Sequence, residues 1–245
     1  MDSGYYAACA GLSAQFQALE LVAHNLANLG TTGYRGERAS FRSLLAGAGA
    51  GMSGNPLNAA VNNFGVLGGS RIDLTSGSLT DTGNPLDLTV AGEGFFVVKS
   101  GNNEAYTRNG SFLVSSTGEL ITNRGEIVLG EQGPITLPQG VVTVSSDGTI
   151  SVDGAVVAKL RLSEFSPGVD LQALGNGLYL APRGAALAPA ASWVRAGMLE
   201  QSNVNPVESV VQLITVQRSA EMMQRALSIF DSQFNQTAVQ DLPRV

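Results

Sequence analysis

Cysteine, histidine and tryptophan each occur once in the 245 residues, as Cys9, His24 and Trp193. One cysteine excludes an intramolecular disulfide and any multi-cysteine metal site. One histidine means that a Ser-His-Asp or Cys-His pair would have to use His24. That residue falls mid-helix in the pattern below, which suits a structural role. Lysine is almost as rare, with only Lys99 and Lys159. The formal net charge is −6, which argues against a general nucleic-acid binder. No long unbroken apolar run is present, so membrane insertion is not expected. No Lys or Arg precedes Arg35, and Gln15, Gln17, Glu20 and His24 interrupt the first apolar stretch. A secretory signal peptide is therefore not expected, and any exit from the cytoplasm needs another route.

Heptad patterning fills both ends. Tyr5, Cys9, Leu12, Phe16, Leu19, Ala23 and Leu26 step by four and three, the seam of a helix that packs against another helix. Ser3 is a candidate N-cap, and the helix should run about 25 residues, or ~38 Å. On the seam, Cys9 should be a small buried hydrophobe with no cation to activate it. Near the other end, Asn205-Pro206-Val207-Glu208 combines an N-cap, a proline suited to the first helical position and a capping-box glutamate. Leu213, Val216, Ala220, Met223, Leu227, Phe230 and Phe234 then repeat the spacing. The two seams should pack on each other or on copies of themselves.

Between the seams the pattern changes. Residues 46–69 are rich in Gly, Ala and Asn and read as a loop or extended arm with a strand or two. From Arg71 onward short apolar runs alternate with turn signals. Asn84-Pro85 marks a turn, and "GFFVVKSGNNEAYTR" reads as two strands around a tight turn. "SSTGELITNRGEIVLG" and "SSDGTISVDGAVVAKL" form a weak repeat of Ser-Ser-x-Gly, strand, turn, strand, with Asp153-Gly154 a good hairpin signal. The fold class is therefore α+β: an antiparallel β-rich central domain bracketed by terminal heptad helices. Residues 1–30 and 203–245 would form a discontinuous helical core, 31–75 an arm, and 76–202 an outer domain with Phe95, Phe96, Phe112 and Trp193 among its core candidates.

Chemistry is hard to find. Gly92-Glu93-Gly94 follows a strand, but Val97 stands where a dinucleotide loop needs its third glycine, and a strand comes next. The glycines at 47–54 have no lysine to reach a phosphate. Asp81 and Asp87 could pair as glycosidase carboxylates, although solvated turns explain them more simply. No catalytic residue, cofactor or metal is assigned.

"NLANLGTTGYRGER" (Asn25 to Arg38) is the most pointed stretch. A long helix stops within a few residues. Asn28 and Gly30 offer a C-cap, Thr31, Thr32 and Tyr34 favour an extended strand, and Gly33 supplies a bend. Such a stop suits a helix that belongs to a shared bundle and a chain that must leave it.

These residues resemble the N-terminal signature of flagellar basal-body rod and hook proteins. "TGNPLDLTVAGEGFFVV" (Thr82 to Val98), "YTRNGSFLVSSTGELIT" (Tyr106 to Thr122) and "LEQSNVNPVESVVQLITVQRSAEMM" (Leu199 to Met223) resemble three further motifs of that family, in its order. The matching positions include Asn25, Leu26, Asn28, Thr32, Gly33, Tyr34, Asn84, Pro85, Gly94, Phe95, Phe96, Asn203 and Val204. One departure is His24, where the family usually has the first of two consecutive asparagines. The resemblance implies an axial structural subunit, not an enzyme, exported by the flagellar type III apparatus without a cleaved signal peptide. It implies a coiled-coil inner core made on assembly with copies of itself and other rod subunits, in a rod crossing the periplasm. Tyr5, Leu12, Phe16, Leu19, Leu26, Leu213, Val216, Met223, Leu227, Phe230 and Phe234 would form the assembly interface. Length and the opening "MDSGYYAACAGL" favour a proximal-rod member over a distal-rod or hook member. A secreted β-rich adhesin would normally carry a signal peptide, and a hydrolase would need a convergent polar cluster.

Overall fold

The computed structural model describes residues 2–42, 66–166, 169–182, 184–185, 187–188 and 191–241. Most of the Gly/Ala/Asn-rich stretch at 46–69 therefore lies outside the described residues. The chain forms two compact units.

The first unit gathers both ends of the chain: residues 1–26, 37–71 and 206–245. Helix α1 spans Asp2–Ala27 and helix α2 spans Pro206–Asp241. Strands β1 (Glu37–Arg42) and β2 (Val66–Ile72) form a two-stranded sheet. Pro206 opens α2 as its sequence requires, and Glu208 faces Gln212 one turn on, at 3.2 Å. Ser3 lies inside α1 instead of capping it, because the helix already begins at Asp2. The expected strand after α1 also starts later. Residues 28–33 form turns, with the Thr31 amide on the Asn28 carbonyl at 3.1 Å, and extended pairing begins only at Glu37. Gly33 takes the left-handed conformation at φ 66°, whereas Gly30 does not.

The second unit comprises residues 27–36 and 72–205. Its strands are short: β3 (Leu79–Asp81), β4 (Leu88–Ala91), β5 (Phe95–Ser100), β6 (Asn103–Thr107), β7 (Phe112–Val114), β8 (Leu120–Thr122), β9 (Ile127–Gly130) and β10 (Gly133–Pro134). They continue with β11 (Val142–Val144), β12 (Thr149–Val152), β13 (Ala155–Lys159), β14 (Leu162–Phe165), β15 (Gln172–Gly175), β16 (Leu178–Leu180), β17 (Leu187–Ala188), β18 (Trp193–Ala196) and β19 (Met198–Glu200). The largest sheet runs β15-β16-β6-β5-β9-β8-β7, with β14 also on β5 and β10 on β9. β11, β12 and β13 make a second sheet, while β18 pairs with β4 and β19 with β3. The pairings within this unit are antiparallel.

β5 explains the centre. Its run Phe95-Phe96-Val97-Val98 is wholly buried, as a strand covered on both faces requires. Phe96 and Val98 join the main core with Leu88, Phe112, Leu120, Val128 and Ile150, and Phe95 joins a smaller cluster with Leu171 and Tyr179. Phe96 meets Phe112 edge-on at 5.1 Å. Trp193, expected inside, stands 43% exposed with the Arg195 guanidinium 4.4 Å over its ring. Alternation along β18 sends Val194 inward instead.

The weak repeat is real in three dimensions. The Gly118 amide donates to Ser115 O and the Gly148 amide to Ser145 O, both at 3.0 Å. Both glycines have φ 84°. Asp153 (φ 50°) and Gly154 (φ 84°) make the two-residue turn between β12 and β13.

Candidate assembly interface

The expected interface residues fall on α1 and α2. On α2 the seam is the buried face: Ser209 and Ala220 are buried, and Leu213, Val216, Met223 and Leu227 are half-buried between and beyond them. On α1 the buried face is displaced. Ala14, Ala18 and Val22 are buried, Leu12, Leu19 and Leu26 flank them half-buried, and Phe16 is 42% exposed. The physical reason is close approach. Half-buried Gly11 precedes the buried row, and a Cβ there would lie 3.1 Å from Met223 Cε of α2. Small residues on one ridge let a neighbouring backbone come near, so the larger residues turn to the flanks. Cys9 is half-buried, not buried, and His24 is exposed. The side chains of Tyr5, Phe230 and Phe234 lie outside the described residues.

A second apolar stripe on α2 is exposed among the described residues. Val207, Val210, Val211, Ile214, Met222 and Ile229 are exposed, and the last turns of α2 carry no basic residue.

Asn25 ends α1 by an amide clasp. Its Nδ2 donates to Glu37 O at 2.7 Å, and its Oδ1 accepts from the Glu37 amide at 2.9 Å. The side chain thus imitates a strand neighbour and satisfies both backbone groups where β1 begins. Asn28 anchors the turn through Thr31 Oγ1 at 3.1 Å.

In the second unit, Gly33, Tyr34, Arg35 and Gly36 are all buried. The Gly33 amide donates to Glu200 O at 2.7 Å, and a Cβ at Gly33 would sit 2.3 Å from the Arg108 carbonyl carbon. Asn203 holds the same segment from the other end of the unit. Its Oδ1 accepts from the Gly36 amide at 2.7 Å, and its Nδ2 donates to Asp73 O and Thr75 O at 2.9 Å each. Val204 and Thr32 are half-buried, while Asn84 and Pro85 form an exposed turn in which Asn84 O accepts from the Asp87 amide at 3.0 Å. Asp81 is exposed and Asp87 buried. The Gly94 amide donates to Ser192 Oγ at 2.8 Å, so the Gly92-Glu93-Gly94 bend is a packing turn that leads into β5.

Three charged residues lie buried around this segment that sequence reasoning did not single out: Arg35, Arg108 and Glu200. Arg35 Nη2 is 2.8 Å from Glu200 Oε1, and Arg108 Nη1 is 3.5 Å from Glu200 Oε2. Arg108 also donates to Val90 O at 3.1 Å and Gly92 O at 2.6 Å, and lies 5.0 Å from the Phe95 ring centroid. Burial pulls the Arg108 guanidinium down to about 10, the Arg35 charge adds to this, and Glu200 opposes it. A signal was available: each of the motifs "GYRGER", "YTRNG" and "LEQSN" carries one of these charges.

Comparison with known proteins decides the family. Residues 6–35 match the family described as flagella basal body rod protein, residues 89–157 the flagellar hook protein FlgE/F/G D1 domain, and residues 195–239 the flagellar basal body rod FlgEFG protein C-terminal. The chain belongs to the flagellar basal-body rod protein family. It is 34% identical to the rod protein FlgG of Caulobacter vibrioides, covering 94% of this chain and 96% of the relative. It is 32% identical to FlgF of the same organism over 100% of both chains, and 34% identical to FlgF of Salmonella typhimurium over 94% and 95%. The protein is a FlgF-like structural subunit of the rod and not an enzyme. The clasp residues Asn25 and Gly33 fall within the first matched segment, and Glu200 and Asn203 within the last.

Proposed function

We propose that this subunit polymerises helically with copies of itself and with other rod subunits, through its terminal helices, to carry torque from motor to hook. The observation that carries this reading is the exposed apolar stripe Val210, Val211, Ile214, Met222 and Ile229 on α2. The seam of α2 is largely buried within the chain, this second face is exposed toward a neighbour, and a contact between unlike faces whose rotation does not close builds an open helical rod. On assembly the helices form the coiled-coil inner core and the β-rich unit the outer layer. Export through the flagellar type III apparatus delivers the chain to a rod that crosses the periplasm. The end-to-end match to FlgF of Caulobacter vibrioides supports a proximal-rod place. The 34% identity to FlgG supports a distal place as the second reading.

Val211→Asp combined with Ile214→Asp tests the interface. Exposed positions should tolerate the change within about 0.5 kcal/mol of folding stability, while motility and rod formation are lost. A motile strain with normal rods would overturn the proposal. Complementation of strains lacking FlgF or FlgG separates the proximal from the distal place.

A further inference from the structure

Arg35, Arg108 and Glu200 put two guanidiniums and one carboxylate in the interior of the β-rich unit, each side chain no more than 2% exposed. The acidic side chain beyond Glu200 that acts on Arg108 is Glu93, which is exposed. Glu200 is saturated with partners. Its Oε1 takes Arg35 Nη2 and the Gly77 amide at 2.9 Å, its Oε2 faces Arg108, and its backbone carbonyl takes the Gly33 amide. Arg35 in turn donates to Thr75 O, and its amide donates to the Tyr179 hydroxyl at 3.1 Å. Among the described residues the Nε atoms of Arg35 and Arg108 have no hydrogen-bond partner, and Arg35 Nη2 meets Glu200 as an ion pair without a hydrogen bond.

The arrangement is asymmetric in charge and in chain order. Arg108 lies between β6 and β7, fixed by Val90 O and Gly92 O without help from Arg35. Arg35 arrives on the segment that follows α1, and Glu200 on the segment that leads to α2. If residues 33–36 docked alone, a second guanidinium would be buried beside the first with no carboxylate between them. Like charges in a low-dielectric interior repel strongly, and neither would be solvated. Residues 200–203 supply the missing charge, and Asn203 closes on the Gly36 amide and, through its own amide, on Tyr34 O at 3.3 Å.

We propose that Glu200 is an electrostatic latch: it makes docking of residues 33–36 conditional on docking of residues 200–203, so that the two segments leading to α1 and α2 close on the β-rich unit together and after its largest sheet. The latch couples the segment that follows α1 to the segment that precedes α2. It needs no ligand and no change in the largest sheet, since β5, β6 and β9 pair without these residues.

Amide hydrogen exchange on the full chain tests it. In wild type, the Gly33, Gly36 and Asn203 amides should open as one step of lower free energy than Val97 and Val98 in β5. Glu200→Gln should cost those three amides about a hundredfold or more in protection while β5 keeps its own. Glu200→Gln with Arg35→Gln should recover part of the loss, because the second change removes the unbalanced charge. Three results would overturn the latch: no loss in Glu200→Gln, opening of the three amides only together with β5 in wild type, or a double variant more open than Glu200→Gln alone. The wild-type measurement stands even if Glu200→Gln fails to fold.

Discussion

Arg35 and Glu200 meet at 2.8 Å in the interior of the β-rich unit, although one follows the first helix and the other closely precedes the last. A buried pair of this kind gains little over well-packed apolar groups, but removing one partner costs about 3–5 kcal/mol because the other is left charged and dry. The consequences are local and measurable.

Gly33 should tolerate no side chain. Its φ of 66° strains any residue with a Cβ, and the added atom would meet the Arg108 backbone at 2.3 Å. Gly33→Val should destabilise by more than about 4 kcal/mol. Gly101→Ala has a similar φ, 60°, but open space around it. It should cost only about 1–2 kcal/mol. Thermal melting of the two variants gives the comparison, and equal losses would remove the case for a steric role at Gly33.

Asn25→Ala deletes both hydrogen bonds to the Glu37 backbone. The loss should be about 1–3 kcal/mol, read as faster exchange at the Glu37 amide. Asn25→Asp should do no better. It retains an acceptor for the amide but turns an oxygen toward the Glu37 carbonyl, where a donor is required.

Ala18→Asp places an unpaired carboxylate on the buried row of α1, where Ala18 is 6% exposed. The destabilisation should reach several kcal/mol at neutral pH. Burial raises the folded-state pKa of that carboxyl above its unfolded value of about 3.9. The deficit relative to wild type is therefore full above the raised pKa and shrinks as pH falls toward about 4. Chemical denaturation at pH 7 and pH 4.5 should show the gap narrowing.

A fragment of residues 76–202 keeps the strands β3 to β19 but lacks Arg35, Thr75 and Asn203. A fragment of residues 27–205 keeps them. At about 2–4 °C per kcal/mol, the shorter fragment should melt roughly 6–20 °C lower. Coincident melting would mean that the segment 27–36 adds nothing to the stability of the β-rich unit.

Local periodicity determined much of this protein. The spacing of Leu213, Val216, Ala220 and Met223 finds the buried face of α2, and Asn205-Pro206 finds its start, because capping and heptad packing are short-range effects. Asp153-Gly154 and the two Ser-Ser-x-Gly turns are equally local, since left-handed backbone there demands glycine or aspartate. What needed the tertiary structure was the choice among apolar faces and the placing of charges. On α1 the large residues marked one stripe, but close approach at Gly11 selects the small ones, Ala14 and Ala18, for burial. Trp193 and Val194 are both apolar neighbours, and only the pairing of β18 with β4 decides which faces inward. Arg35, Arg108 and Glu200 look like surface residues one at a time. They are buried because the fold brings opposite charges from three distant segments to one point, and no local pattern encodes a pairing made across the whole chain.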